Sequence, residues 1–375
     1  MGPLRDVRVV VLAGMGPVPF ASMLLADLGA DVVRVTRPPR RSARLLAQAA
    51  ALGAEHDLVN RGVRSVAVDL KSPEGIASVL DLASRADVFV EGFRPGVVER
   101  LGLGPDALQE RNPALVVARL TGYGQDGPLA RAAGHDINYV AQSGALHALG
   151  RPGQAPMPPI NLLGDYAGGG AMAALGVVSA VLAARSTGRG DVVDASMLDG
   201  VATLTTKIQG LRAAGLHSDE PGTNYLDGDA PFYGTYACAD GRFLAVGALE
   251  ADFYAEFVQR LGVDLTDWPA QDDTSQWPRL RELIGAAVAR RTLAEWTEVY
   301  EGTDACVTPV LTFDEAASHP HNAARQLYTE VDGALHPAPA PRFAVHGTRP
   351  PSTPSAQPEP DVATVLELWP ERFVT

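Results

Sequence analysis

His135 and Asp165 are a base and an acid of the kind that carries protons to and from carbon, and each sits in a glycine-rich setting. The histidine lies in Gly134-His135-Asp136-Ile137-Asn138-Tyr139, and the aspartate opens Gly164-Asp165-Tyr166-Ala167-Gly168-Gly169-Gly170. A His flanked by Gly134 and by polar Asp136 and Asn138 does not read as a core histidine on an apolar face. Asp165 falls where an extended stretch, 158–163, gives way to a helix running to about Arg185. There its carboxylate either caps the helix start or faces a ligand, and the residues alone leave both open. Three successive glycines cost a helix on the order of 0.8–1 kcal/mol each relative to Ala, so something other than stability requires them. Room for a ligand is the simplest candidate. Together the two stretches predict proton transfer on a bound small molecule.

The elements that must position this pair alternate along the chain. Near-continuous apolar runs at 7–13 and 30–35 flank an apolar-periodic stretch at 19–28, which is a β-α-β pattern. Further strands are expected at 65–70, Val88–Glu91, 115–120 and 191–195, with helices such as Pro73–Ser84 between them. The fold class is therefore α/β, with a Rossmann-like, mostly parallel open sheet covered on both faces. The longest apolar run, 171–184, is too short to span a bilayer and predicts a buried helix. A helix is expected at 198–216. A smaller α+β domain should follow, with a hairpin from 232–238 and Phe243–Gly247 and helices at 250–261, 278–289 and Leu293–Tyr300. The expected division is 1–200 for the large domain, 201–224 for a connector, 225–320 for the small domain, and 321–375 for a return linker and C-terminal segment. Proline crowding makes 336–360 an extended connector.

Cations gather where the sheet's carboxyl edge should lie. Arg37 ends a strand, Lys71 follows Asp69-Leu70, and Arg94 and Arg100 flank Pro95-Gly96-Val97-Val98, while Arg40, Arg41 and Arg44 follow Arg37. Any one of them reads equally well as a solvated surface residue. As a set they suit a ligand bearing several phosphates, because a guanidinium matches phosphate geometry with a bidentate fork. The Gly14-Met15-Gly16-Pro17-Val18-Pro19 turn is not a dinucleotide fingerprint. Pro19 stands where the third glycine belongs, and the next strand ends in Arg34, Thr36 and Arg37 rather than an acid, so NAD is not expected. Glu250 opens a helix, where the dipole alone favours a carboxylate.

A net charge of −13 disfavours nucleic acid, which needs a basic footprint. Two cysteines, Cys238 and Cys306, have no metal-ligand spacing, so neither a disulfide framework nor a structural metal is expected. With no secretory pattern at the start of the sequence, a cytoplasmic protein without a membrane partner is expected.

Taken together these segments resemble the family III CoA-transferase superfamily and, within it, the α-methylacyl-CoA racemases. The resemblance also rests on Leu12-Ala13-Gly14-Met15-Gly16-Pro17, Asn60-Arg61-Gly62, Glu91-Gly92-Phe93-Arg94-Pro95-Gly96 and Asp304-Ala305-Cys306-Val307-Thr308-Pro309-Val310. It implies an acyl-CoA thioester as substrate, without a tightly bound cofactor. It further implies His135 and Asp165 on opposite faces of the substrate C2, exchanging one proton through an enolate, with Glu250 supporting the histidine. Binding of the CoA moiety is implied for Met15, Arg37, Leu70, Lys71, Arg94, Arg100, Gly134, Asp136 and Tyr139. Two chains would interlock as a homodimer, Glu250 coming from the neighbouring subunit. In the transferase branch an aspartate at the position of Asp165 attacks the thioester to form a mixed anhydride, and the histidine stretch is normally not kept. His135 and Glu250 thus point to the racemase branch.

Overall fold

The computed structural model describes residues 2–37, 56–352 and 361–371, so Arg40, Arg41 and Arg44 lie outside the described residues. The chain forms two compact units: residues 2–144, 158–206 and 323–371 of the described chain make the first, and 145–157 with 207–322 the second.

In the first unit, six strands form one sheet in the order β3-β2-β1-β4-β5-β6. They are β1 (Arg8–Leu12), β2 (Asp31–Thr36), β3 (Val63–Ala67), β4 (Val88–Glu91), β5 (Val116–Thr121) and β6 (Val192–Ser196), and every neighbouring pair is parallel. The third strand starts two residues earlier than the apolar run at 65–70 implies. Val63 belongs to the ladder opposite Val32, whereas Val68 to Leu70 already turn towards the next helix.

Helices α1 (Pro17–Asp27), α2 (Pro73–Ser84), α3 (Val97–Arg100), α4 (Pro105–Arg111) and α6 (Met172–Thr187) cover the two faces, while α5 (Asp136–Gln142) and α7 (Met197–Leu204) pack with each other and with the helix at Leu162–Ala171. Alternation along each strand sets the two cores. Val9, Val11, Val32, Val88, Val90 and Ala118 pack with Leu25 of α1 and with Ala173, Val177 and Val181 of α6. Val10, Leu12, Val33, Phe89 and Val117 face the other way, against Val79 and Leu82 of α2, and with them Val365 and Trp369 close that core. Trp369 is also tied by its indole N–H to Asp31 Oδ2 at 2.7 Å.

Two helices differ from their expected form. Residues Leu162–Ala171 are π-helical and run directly into α6, which makes the continuous helix Leu162–Thr187 long and apolar enough to cross a membrane by length and composition alone. It is the core helix of the sheet, yet only one face of it is buried: Leu175 and Leu182 are exposed. The helix expected at 198–216 breaks at Thr205 into α7 and Thr206–Ala213. Where an extended connector was expected from 336, Ala334–Pro337 instead pairs antiparallel with Tyr328–Val331, and beyond it Arg349 donates to the carbonyls of Gly62 and Gly29.

The second unit is α+β. An antiparallel sheet of β7 (Tyr233–Ala237), β8 (Phe243–Gly247) and β9 (Val307–Pro309) packs on helices Ala251–Arg260, Trp277–Val288 and Leu293–Tyr300 around Phe232, Phe257, Trp277 and Trp296. The third strand is too short to leave a signal in the sequence.

Candidate active site

The strand order reverses between β1 and β4, and the turns that follow these two strands flank the switch point where open parallel sheets take ligands. After β1 the chain turns through Met15 and Gly16 into α1. After β4 it turns through Gly92 to Gly96 into α3. Gly16 has φ +62, a conformation that costs side-chain-bearing residues, and a Cβ there would lie 2.8 Å from Asp165 Oδ2. The first glycine turn of the fold therefore sits directly against the candidate acid.

Asp165 reaches this place through packing rather than capping. Asn161, not Asp165, is the cap residue of the π-helix, and Asp165 stands in its first turn. The helix is pressed into the fold by its glycines. A Cβ on Gly200 of α7 would lie 1.8 Å from the Gly168 carbonyl oxygen, and one on Gly169 would meet Met197 and Pro17. The glycine run thus serves close helix packing instead of ligand room. Nor is Gly168 at a free helix end, since a π-helical amide bonds to the carbonyl five residues back. Phe20 of α1 stacks on Tyr166, ring centroids 4.2 Å apart, which fixes the residue after Asp165.

His135 is exposed and extended and precedes α5 as its cap residue; its backbone N–H donates to Asn138 Oδ1 at 3.0 Å. Asp136, buried in the first turn of α5, accepts from the Asp165 backbone N–H through Oδ2 at 2.7 Å. That bond joins the two glycine-flanked stretches. The other Asp136 carboxylate oxygen is buried with no hydrogen-bond partner among the described residues.

Electrostatics follow from this arrangement. The Asp165 carboxyl is pushed above the usual carboxylate range, first by burial and then by the neighbouring Asp136 charge, against a hydrogen bond from Asn161 and the nearby His135. Tyr139, buried on α5, meets the Tyr123 ring edge-on at 5.0 Å between centroids. Burial first, then Tyr123, Asp165 and Asp136, push its phenol up to about 12 despite Arg94, so it stays a neutral donor near neutral pH. Gly134 lies against the Tyr139 ring, where a Cβ would approach to 2.7 Å.

His135, Asp136, Tyr139, Gly134 and Asp165 thus come together, with Gly16 of the first turn as a neighbour and with Tyr123 and Asn161, which the motifs did not single out. Gly16 was visible as a turn glycine; its nearness to Asp165 depends on the tertiary fold. Met15 is 81% exposed beside the site. Arg37, Lys71 and Arg94 follow the carboxyl ends of β2, β3 and β4, with Arg100 at the end of α3, and all four are exposed; Leu70 is half-buried. Glu250 belongs to the second unit, exposed at the start of helix Ala251–Arg260 and without a side-chain capping bond. Among the described residues no group of three or more His, Cys, Asp or Glu is placed to hold a metal.

A model of the CoA-transferase family III matches residues 4–363, and the chain belongs to that family. It is 46% identical over 359 residues to the mouse α-methylacyl-CoA racemase, covering 96% of this chain and 90% of that one. It is 43% identical over 373 residues to the human α-methylacyl-CoA racemase, covering 99% and 93%. The crystal structure of a CAIB/BAIF family protein from Brucella suis shares the fold with a TM-score of 0.80 at 22% identity, covering 98% of this chain and all of that one.

Proposed function

We propose that the protein is an α-methylacyl-CoA racemase, inverting C2 of 2-methylacyl-CoA thioesters by passing a proton between His135 and Asp165 through an enolate. The observation that carries this reading is the Asp165 carboxyl, its pKa raised by burial and by Asp136, beside His135. Similarity to the mouse and human racemases supports it.

On this reading neutral His135 takes the C2 proton of one epimer while the Asp165 carboxylic acid delivers its proton to the opposite face. The products of that step are imidazolium and carboxylate, the pair required by the other epimer, so protons balance in both directions. The thioester itself acidifies C2, and the chemistry calls for neither a metal nor a nicotinamide. Arg37, Lys71, Arg94 and Arg100 would hold the phosphates at the sheet edge, with Met15, Leu70, Gly134, Asp136 and Tyr139 along the rest of the CoA moiety. Glu250 would support His135 from the partner chain of a homodimer. The reading includes a cytoplasmic enzyme whose partner is a free acyl-CoA, and the net charge of −13 argues against nucleic acid.

The second reading, CoA transfer, needs Asp165 as a carboxylate nucleophile. An upward shift reduces the ionised fraction and favours the acid role instead. Incubating a single 2-methylacyl-CoA epimer with and without an added carboxylic acid separates the two. Epimerisation without the acceptor supports the racemase, whereas turnover only with the acceptor, giving a new thioester, overturns it.

A further inference from the structure

Arg119 is a charged side chain without a place in the chemistry above, and it is almost wholly enclosed. It lies on β5 in register with Glu91, the last residue of β4. Its Nε donates to Glu91 Oε1 at 2.9 Å, and the other Glu91 oxygen accepts from the Phe93 backbone N–H at 2.7 Å. On its far side Arg119 Nη2 stands 2.8 Å from Glu99 Oε1, an ion pair without hydrogen-bond alignment. One guanidinium thus binds the residue just before the Gly92 to Gly96 turn and a residue of α3 just after it.

Everything between those anchors is a tight presentation device. The Arg94 carbonyl accepts from the Val97 N–H at 3.1 Å, and Gly96 takes φ +84 to allow it. Below the turn, a Cβ on Gly92 would lie 2.6 Å from Val18 Cγ2, so the backbone rests on α1. The exposed side chains of the segment are Arg94, Arg100 and the Glu99 carboxylate that pairs with Arg119. A buried ion pair is a poor way to hold two strands together, because desolvation offsets its attraction and an apolar pair does as well. Its fixed fork gives direction, and direction is what a phosphate-binding segment requires.

We propose that Arg119, with Glu91 and Glu99, is a positioning clamp that sets the Arg94 to Arg100 segment for the phosphates of the CoA substrate. The inference rests on the acyl-CoA reading above and adds the residues that organise its phosphate end. Arg119 does not touch the substrate; it acts through the two exposed arginines.

The test compares 2-methylacyl-CoA with the matching acyl-pantetheine, which bears the same reacting carbon without the nucleotide phosphates, using Glu99→Gln and the double variant Glu91→Gln with Arg119→Met. The first variant alters only the solvent-facing end of the clamp, and the second removes both buried charges while keeping an acceptor for Phe93. Both should raise KM for acyl-CoA roughly fivefold to tenfold, the scale of a displaced charge-assisted contact, with kcat nearly unchanged and KM for acyl-pantetheine unmoved. Equal losses on both thioesters, or no change on either, would overturn the clamp. Calorimetric titration with CoA and with pantetheine reads the same difference without turnover. A wild-type chain that turns over neither thioester defeats the racemase reading, while the clamp then stands or falls on whether the variants weaken CoA binding alone.

Discussion

The backbone N–H of Asp165 donates to Oδ2 of Asp136 at 2.7 Å, so the residue following the candidate base holds the backbone of the candidate acid. The same carboxylate contributes to raising the Asp165 pKa, second only to burial. Replacing Asp136 with Asn keeps a possible acceptor for the amide but removes the charge. The limb of the kcat–pH profile governed by Asp165 should then move to lower pH. A limb that stays in place, measured for both epimers, would separate Asp136 from the electrostatics of the site.

Gly16 places backbone where any side chain would press on Asp165. Gly16→Ala should cost on the order of 1–3 kcal/mol through its sparsely populated backbone conformation at φ 62 and ψ −111, a modest fall in Tm. Displacement of the carboxylate should lower kcat by on the order of 10²-fold, as misplacements of about 1 Å do. Near-wild-type kcat in a folded variant would mean that the Asp165 side chain has freedom the packing denies it.

Gly200 faces the Gly168 carbonyl across the contact of α7 with the π-helix. Gly200→Ala forces these helices apart and should destabilise the protein by about 1–3 kcal/mol, the usual scale of overpacking. Denaturant unfolding reads the stability, and kcat should fall with it because Asp165 rides on the displaced helix. Loss of stability with kcat intact would uncouple the packing from the site.

His336 reports on stability rather than catalysis. It is fully buried, and neither ring nitrogen has a hydrogen-bond partner among the described residues. Close by, Arg61 and Asp27 form a buried pair at 2.6 Å, and Arg61 also donates to the Pro337 carbonyl at 2.7 Å. Burial first and Arg61 second lower the His336 pKa below its ordinary 6.5, against the smaller opposing pull of Asp27 and Asp332. The unfolded chain takes up the proton at a pH where the folded chain does not. This contribution is therefore intact above the ordinary value and is lost as pH falls below it. Melting curves should show wild type losing Tm faster than His336→Leu as pH drops from about 7.5 to about 5.5. Parallel losses would contradict the assignment.

How much of this was legible depends on whether the signal was local. The strands at 88–91 and 243–247 and the helix at 73–84 follow from apolar periodicity, and in the structure the Ser72 side chain caps the start of that helix. The cation-bearing carboxyl edge follows from the β-α alternation. The π-helical form of Leu162–Ala171 does not follow from local periodicity, and its packing on α7 through Gly168 and Gly200 is a tertiary contact. The apolar run after it looked wholly buried, since composition cannot separate the covered Val177 from the exposed Leu182. Pairing of Ala334–Pro337 was hidden by the prolines around it. His135, Asp136 and Asp165 were readable as candidates, whereas the amide bond between the two stretches and the pressure of Gly16 on Asp165 are tertiary facts.

The most direct test is proton exchange at C2. A single 2-methylacyl-CoA epimer in D₂O should racemise without any acceptor acid, incorporating one deuterium at C2, and His135→Ala and Asp165→Asn should each lose roughly 10²–10⁴-fold of that rate. Racemisation that both variants carry out at the wild-type rate, or no deuterium at C2 in the wild-type product, would contradict the account.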